Sequence, residues 1–246
     1  MSVKDNLAIV QQQIKQSALQ SGRTPDDVRL IAVSKTKSVE LIREALAANQ
    51  CAFGENRIQE ALGKIEVLSI NPQIEWHLIG HLQKNKVKFC PGKFQWIHSL
   101  ESIELAEKLE ARCAFAKKKI NALIQVNLSQ EESKSGLQEW DEILRVAETI
   151  FSGQWLKLRG LMTIPAPNIG EIKTRKIFEQ IRKWQEKLQQ ELDAPEIIEL
   201  SMGMSADYHW AIQEGATMIR VGTAILVQGN KIWVIQRICD NRYIFR

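Results

Sequence analysis

Eight short apolar runs punctuate this chain: 29–34 (RLIAVS), 52–54 (AFG), 75–79 (EWHLI), 95–98 (QWIH), 120–128 (INALIQVNL), 156–163 (LKLRGLMT), 197–202 (IIELSM) and 217–221 (TMIRV). Each has the length of a buried strand. Helix-like stretches separate them at 39–49, 56–68, 102–118, 137–151, 171–192 and 206–215, with a shorter one at 84–89. Strands that alternate with helices call for a parallel sheet covered by helices. An open doubly wound sheet also alternates, but eight units without a break in composition favour closure. The expected fold is therefore α/β, a single-domain (β/α)8 barrel of the TIM type, and the 246 residues match its usual length. Ahead of the first strand, Val3, Leu7, Val10, Ile14 and Ala18 recur at helical spacing and predict an amphipathic helix. The barrel with this helix is expected to occupy 1–229, leaving 230–246 as a tail that is either strand or helix.

Charge and cysteine content narrow the function classes. The formal charge is +4, of which +3 belongs to 230–246, where Lys231, Arg237, Arg242 and Arg246 face Asp240. The main body is nearly neutral, so a nucleic-acid surface is not expected. No apolar stretch reaches signal-peptide or membrane-span length, and the expectation is a soluble, cytoplasmic protein. Cys51, Cys90, Cys113 and Cys239 are scattered without a C-x-x-C pair, as suits reduced thiols.

In a barrel of this kind, active-site groups sit at the carboxyl ends of the strands, and phosphate is commonly held after the seventh and eighth. Three features fall there. Lys35 follows the first strand, on the face shared by Ile31 and Val33, where desolvation would leave an amine able to attack a carbonyl. The alternative is an ammonium group reaching solvent beside Lys37. "ELSMGMSADYHWA" (199–211) turns through Gly203 into a helix, with Ser205 as a candidate N-cap and Asp207 in the first turn. "IRVGTAIL" (219–226) ends a strand on Arg220, and there Gly222 permits close approach while Thr223 offers N–H and hydroxyl to an oxyanion. An amine after the first strand and anion loops after the last two describe a pocket for a phosphorylated aldehyde.

Other residues are weaker candidates. His77 and His81 have metal-ligand spacing only on a helix, whereas "EWHLIGH" reads as strand and turn, so no metal site is expected. Trp76, Trp96, Trp155 and Trp210 look like core or pocket wall. Lys84, Lys86 and Lys88 look like a solvated face.

The motifs "AVSKTKS", "FGENRIQEA", "EWHLIGHLQKNK", "VNLSQEESKSG", "LRGLMTIP", "ELSMGMSADY" and "MIRVGTAIL" occur in order between about residues 5 and 228. Together they resemble the YggS/PROSC family of pyridoxal phosphate homeostasis proteins. The resemblance implies a modified barrel like the N-terminal domain of alanine racemase, the fold-type III group of PLP proteins. It implies pyridoxal 5'-phosphate as cofactor, bound as a Schiff base on Lys35. Position by position it implies Asn56 beside the ring, Arg220 at the pyridine nitrogen, Ser205, Gly222 and Thr223 around the phosphate, and Ser201 and Met204 as pocket lining. An arginine at the pyridine nitrogen disfavours ring protonation and weakens the cofactor as an electron sink. Racemisation also needs a second acid/base, which alanine racemases draw from a C-terminal β-domain that a chain ending at 246 is expected to lack. The resemblance therefore implies a carrier or regulator of PLP and of amino and keto acid pools, without an established reaction. Its expected partners are PLP and possible recipients among apo PLP enzymes or regulatory proteins, and it is expected to be a monomer. A PLP-dependent amino-acid racemase and a Schiff-base sugar-phosphate aldolase are the alternatives. Two positions depart from the family pattern: Arg57 stands where many relatives have tyrosine, and His81 where proline is frequent.

Overall fold

The computed structural model describes residues 1–129 and 135–227. Helix α1 (Val3–Gln20) opens the chain with a reciprocal cap: the Asp5 N–H donates to Ser2 Oγ, and the Ser2 N–H donates to Asp5 Oδ2. Its apolar stripe of Val3, Leu7, Val10, Ile14 and Ala18 is buried, as the spacing predicts. Asn6 on the same face donates to the Ile225 carbonyl at 3.0 Å, tying α1 to the segment that follows the last strand.

Strands and helices then alternate. They are β1 (Arg29–Val33), α2 (Val39–Ala47), β2 (Ala52–Glu55), α3 (Ile58–Val67), β3 (Glu75–Leu78), β4 (Trp96–Leu100), α4 (Ile103–Ala116), β5 (Ile120–Val126), α5 (Trp140–Phe151), β6 (Leu156–Thr163), α6 (Glu171–Glu191), β7 (Glu199–Met204), α7 (Tyr208–Gln213) and β8 (Met218–Val221). The eight strands are parallel, pair in chain order and close through β8 against β1, giving the expected barrel. Three local readings change. Residues Lys84–Phe89 form a 3-10 turn. Leu137 bridges to Val126 before α5 begins at Trp140, so the first residues of that helical pattern extend the sheet instead. Ser205 is not a helix cap: Asp207 is the N-cap of α7, and its Oδ1 accepts the Met204 N–H at 2.6 Å.

The two-residue pleat period sorts each strand between two apolar compartments. Leu30 and Ala32, Trp76 and Leu78, Leu200 and Met202, and Ile219 and Val221 point outward into the large layer under the helices. Ile31, Ala52, Trp96, Leu123, Met162 and Met218 point inward and pack together in the barrel interior. Trp76 and Trp96 are thus core, while Trp155 and Trp210 pack against the outer layer from partly buried positions. Cys51, Cys90 and Cys113 are free thiols, and burial raises Cys90 and Cys113 to about 12. Among the described residues no helix is long and apolar enough to cross a membrane. Cys239 and the tail 230–246 lie outside the described residues.

Candidate functional site

The register of the closing strands brings the sequence candidates together. Ile31 of β1 pairs with Arg220 of β8, so the chain segments that leave these two strands are neighbours. Gly222 packs directly on β1: a Cβ there would lie 3.1 Å from the Val33 Cβ and 3.2 Å from the Val33 carbonyl oxygen. The closeness that glycine permits at this position is therefore contact of the loop after β8 with the end of β1, beside Lys35. Lys35 itself is exposed in the turn after β1, which corrects the expectation of a desolvated amine. Thr223 is exposed as well, and its Oγ1 lies 3.5 Å from Ser205 Oγ. Two hydroxyls from the loops after β7 and β8 thus converge. Gly203, at φ +93°, makes the bend that delivers Ser205, and a Cβ there would sit 2.6 Å from that of Ala211.

Arg220 is buried, 3% exposed, inside the barrel. Its NH1 donates to Ser201 Oγ at 2.5 Å and its NH2 to the Thr163 carbonyl at 2.9 Å. Burial pulls its pKa down to about 10, opposed by the Asp207 carboxylate, so it stays a cation at neutral pH. Met204, which pairs with Arg220 across a register shift between β7 and β8, is 37% exposed. Asn56 follows β2, and its Oδ1 is buried without a hydrogen-bond partner. A donor for that oxygen is what a ligand ring substituent can supply. Gly80 backs it, since a Cβ there would lie 2.3 Å from the Asn56 carbonyl oxygen. His77 and His81 do not converge: His77 is fully buried in the barrel, whereas His81 is half exposed and pairs with Glu101 at 2.9 Å. Lys84 pairs with Glu104, as suits a solvated face.

Two arrangements are absent from the sequence-based reading, although His77 and Ser201 stand there in other roles. The first is a buried charge cluster that grips the Lys35 turn. Lys64 Nζ donates to the Ser34 carbonyl at 2.6 Å, to Glu55 Oε1 at 2.7 Å and to Glu60 Oε1 at 2.7 Å. Ser34 Oγ also donates to Glu55 at 2.6 Å, and the Thr36 N–H donates to Glu60. Thr36 is held at φ +60°, in the left-handed region. Both neighbours of Lys35 are therefore anchored to α3. Burial raises the Glu55 carboxyl pKa against the bonds from Lys64 and Ser34. A sequence signal exists: Lys64 lies on the buried face of α3 with Ile58 and Ala61.

The second set runs through the interior. His77 Nε2 lies 2.8 Å from Glu75 Oε1, His77 Nδ1 lies 2.9 Å from His98 Nε2, and His98 Nδ1 lies 2.9 Å from Ser201 Oγ. Burial drives the pKa of both rings below 6.5, that of His98 well below, where His77 and Arg220 oppose its charge. Unfolding below pH 6.5 therefore takes up protons at these rings, and the stability they provide above that pH is lost as pH falls. Urea unfolding is expected to show the free energy falling between pH 7.5 and 5.5, by up to about 1.4 kcal/mol per pH unit for each histidine below 6.5. His98→Gln should flatten that slope, and an equal slope in the variant would contradict a neutral His98.

Comparison with known proteins gives the arrangement its context. Residues 5–228 match the family described as alanine racemase, N-terminal domain. The chain is 44% identical over 226 residues to the pyridoxal phosphate homeostasis protein of Pasteurella multocida, covering 92% of this chain and 97% of that one. The chain belongs to the pyridoxal phosphate homeostasis protein family. A solved relative is PipY of Synechococcus elongatus with PLP bound: 37% identity, a TM-score of 0.80, and coverage of 92% of this chain and 100% of that one. Alanine racemase of Clostridium difficile superposes with a TM-score of 0.69 at 16% identity, over 92% of this chain and 60% of that one, a likeness of fold alone.

Proposed function

We propose that this chain binds pyridoxal 5'-phosphate and serves PLP homeostasis as a carrier or regulator, without turnover of its own. The observation that carries the reading is the convergence of Lys35, Arg220 and the Ser205–Thr223 hydroxyl pair at one end of a barrel whose relative PipY was solved with PLP. Lys35 is exposed and so open to an aldehyde, with which its amine condenses to a Schiff base and releases water. Ser205, Thr223 and the Gly222 backbone hold the phosphate. Asn56 has an unpaired buried oxygen to offer the ring, and Ser201 and Met204 line the pocket. Bound PLP supplies an electrophilic carbon and an electron sink. Arg220, a cation facing the pyridine nitrogen, keeps that nitrogen unprotonated and the sink weak. The reactive aldehyde is thereby stored rather than used, and its recipients are apo PLP enzymes or regulatory proteins in the cytoplasm.

Purified protein loaded with equimolar PLP is expected to turn yellow and, after borohydride reduction, to gain one phosphopyridoxyl group. In deuterium oxide it is expected to exchange no α-proton across a panel of amino acids. A colourless protein without adduct would overturn the binding reading, and catalytic α-proton exchange would replace the carrier with a racemase.

A further inference from the structure

We propose that Glu75, His77, His98 and Ser201 form a one-way hydrogen-bond chain across the barrel interior that sets the orientation of the Arg220 guanidinium, making these four positioning residues for the site above. The members come from β3, β4 and β7, and all occupy inward positions of the pleat. Trp76, Ile97 and Met202 alternate with them and point outward into the helix-covered layer. His77, His98 and Ser201 replace apolar side chains in the middle of a packed core. Such a substitution is costly unless every polar atom finds a partner.

The direction of the chain follows from chemistry. A guanidinium has only donors, so Ser201 Oγ must accept from Arg220 NH1. The Ser201 hydrogen is then free to go to His98 Nδ1. A neutral His98 with an accepting Nδ1 carries its proton on Nε2, which donates to His77 Nδ1. His77 in turn carries its proton on Nε2, which donates to Glu75 Oε1. That carboxylate also accepts from Arg29 NH1 at 2.9 Å. With both rings neutral, this arrangement uses every hydrogen along the line, and each tautomer is dictated by its neighbour. The Trp96 ring stacks on His77 at 5.7 Å between centroids and 6° between planes, closing that side against rotation.

The two ends differ. Arg220 lies towards the carboxyl ends of the strands. Glu75 opens at the amino ends into a cavity of about 580 Å3, lined also by Arg29, Asp26, Gln50 and Gln73. Two of the five Arg220 N–H donors are committed to Ser201 and Thr163, which leaves three to meet a ligand. If Glu75 no longer accepts, His77 has an unpaired buried N–H, and the tautomer order that points the Ser201 hydroxyl away from Arg220 loses its terminus.

The consequence for PLP rests on the functional reading above, so the test separates the two. Two-bond proton–nitrogen NMR correlations on the histidine rings of the apo protein are expected to show both His77 and His98 as Nε2–H tautomers. Glu75→Leu is expected to change the His98 ring shifts, although Glu75 does not touch that ring. It should also weaken PLP binding about fivefold, the factor one buried hydrogen bond supports. Glu75→Gln, whose amide oxygen still accepts from His77, should restore both. Ile143→Val, a packing change under α5, controls for lost stability and should move neither. Nδ1–H tautomers in the wild type, or a Glu75→Leu protein with unchanged His98 shifts, would overturn the proposal. A wild type that binds no PLP would overturn the functional reading, while the ring tautomers would still decide the chain.

Discussion

Lys35→Ala is expected to abolish the reducible PLP adduct. The wild-type protein, reduced with borohydride at equimolar PLP and digested, should carry the phosphopyridoxyl group on the peptide containing Lys35. The alanine variant should carry none at stoichiometric yield. The phosphate and ring contacts proposed for Ser205, Thr223 and Arg220 are untouched by the substitution, so binding is expected to weaken rather than vanish. Loss of a positioned covalent partner predicts a drop in affinity on the order of 100-fold. Stability should barely change, because Lys35 is exposed and lies outside both apolar compartments. This separation of effects is the discriminating outcome. An adduct that persists on another lysine of the variant would remove Lys35 from its role.

Lys64→Met should have the largest effect on stability. Its side chain is 9% exposed, and its ammonium group makes three hydrogen bonds within the cluster, two of them to carboxylates. Removing it leaves Glu55, fully buried, with Ser34 as the remaining donor to Oε1, and its Oε2 already lacks a partner. Breaking a buried ion pair from one side costs about 3–5 kcal/mol, read here as the urea unfolding free energy. Adding Glu55→Gln to Lys64→Met should recover more than half of that loss, since the orphaned charge goes with it. A loss below about 1 kcal/mol in the single variant would mean that Glu55 is already protonated in the fold, the direction in which its burial pushes it. Lys64→Met should also slow adduct formation at Lys35, because the Ser34 carbonyl and, through Glu60, the Thr36 N–H lose their anchor.

The two clusters also show why some of the site was legible in the sequence and some was not. Lys35, Ser205, Gly222 and Thr223 could be placed from one dimension because each follows an apolar strand, and strand ends in a barrel share one rim. Composition offers Ser205 as the cap of α7, but Asp207 takes that place. Both Ser205 and Asp207 are good caps by composition, and only the path of the bend at Gly203 selects Asp207. The face of the strand shared with Ile31 and Val33 predicts a desolvated Lys35. β1 ends at Val33, however, so the turn carries the lysine out of the sheet and the pleat no longer governs its burial.

Apolar periodicity alone determined the eight strands, the covering helices and the closed parallel sheet, because burying alternate faces of such runs leaves few other solutions. Residue chemistry at the ends of β1, β7 and β8 then marked the candidate site. Tertiary structure alone decided what those ends rest on. Ser201 meets His98 across 103 residues, and Lys64 reaches back 30 residues to Ser34. Contacts of this kind are chosen by strand register and by the desolvation cost of each polar atom, and neither is written in any local stretch of the chain.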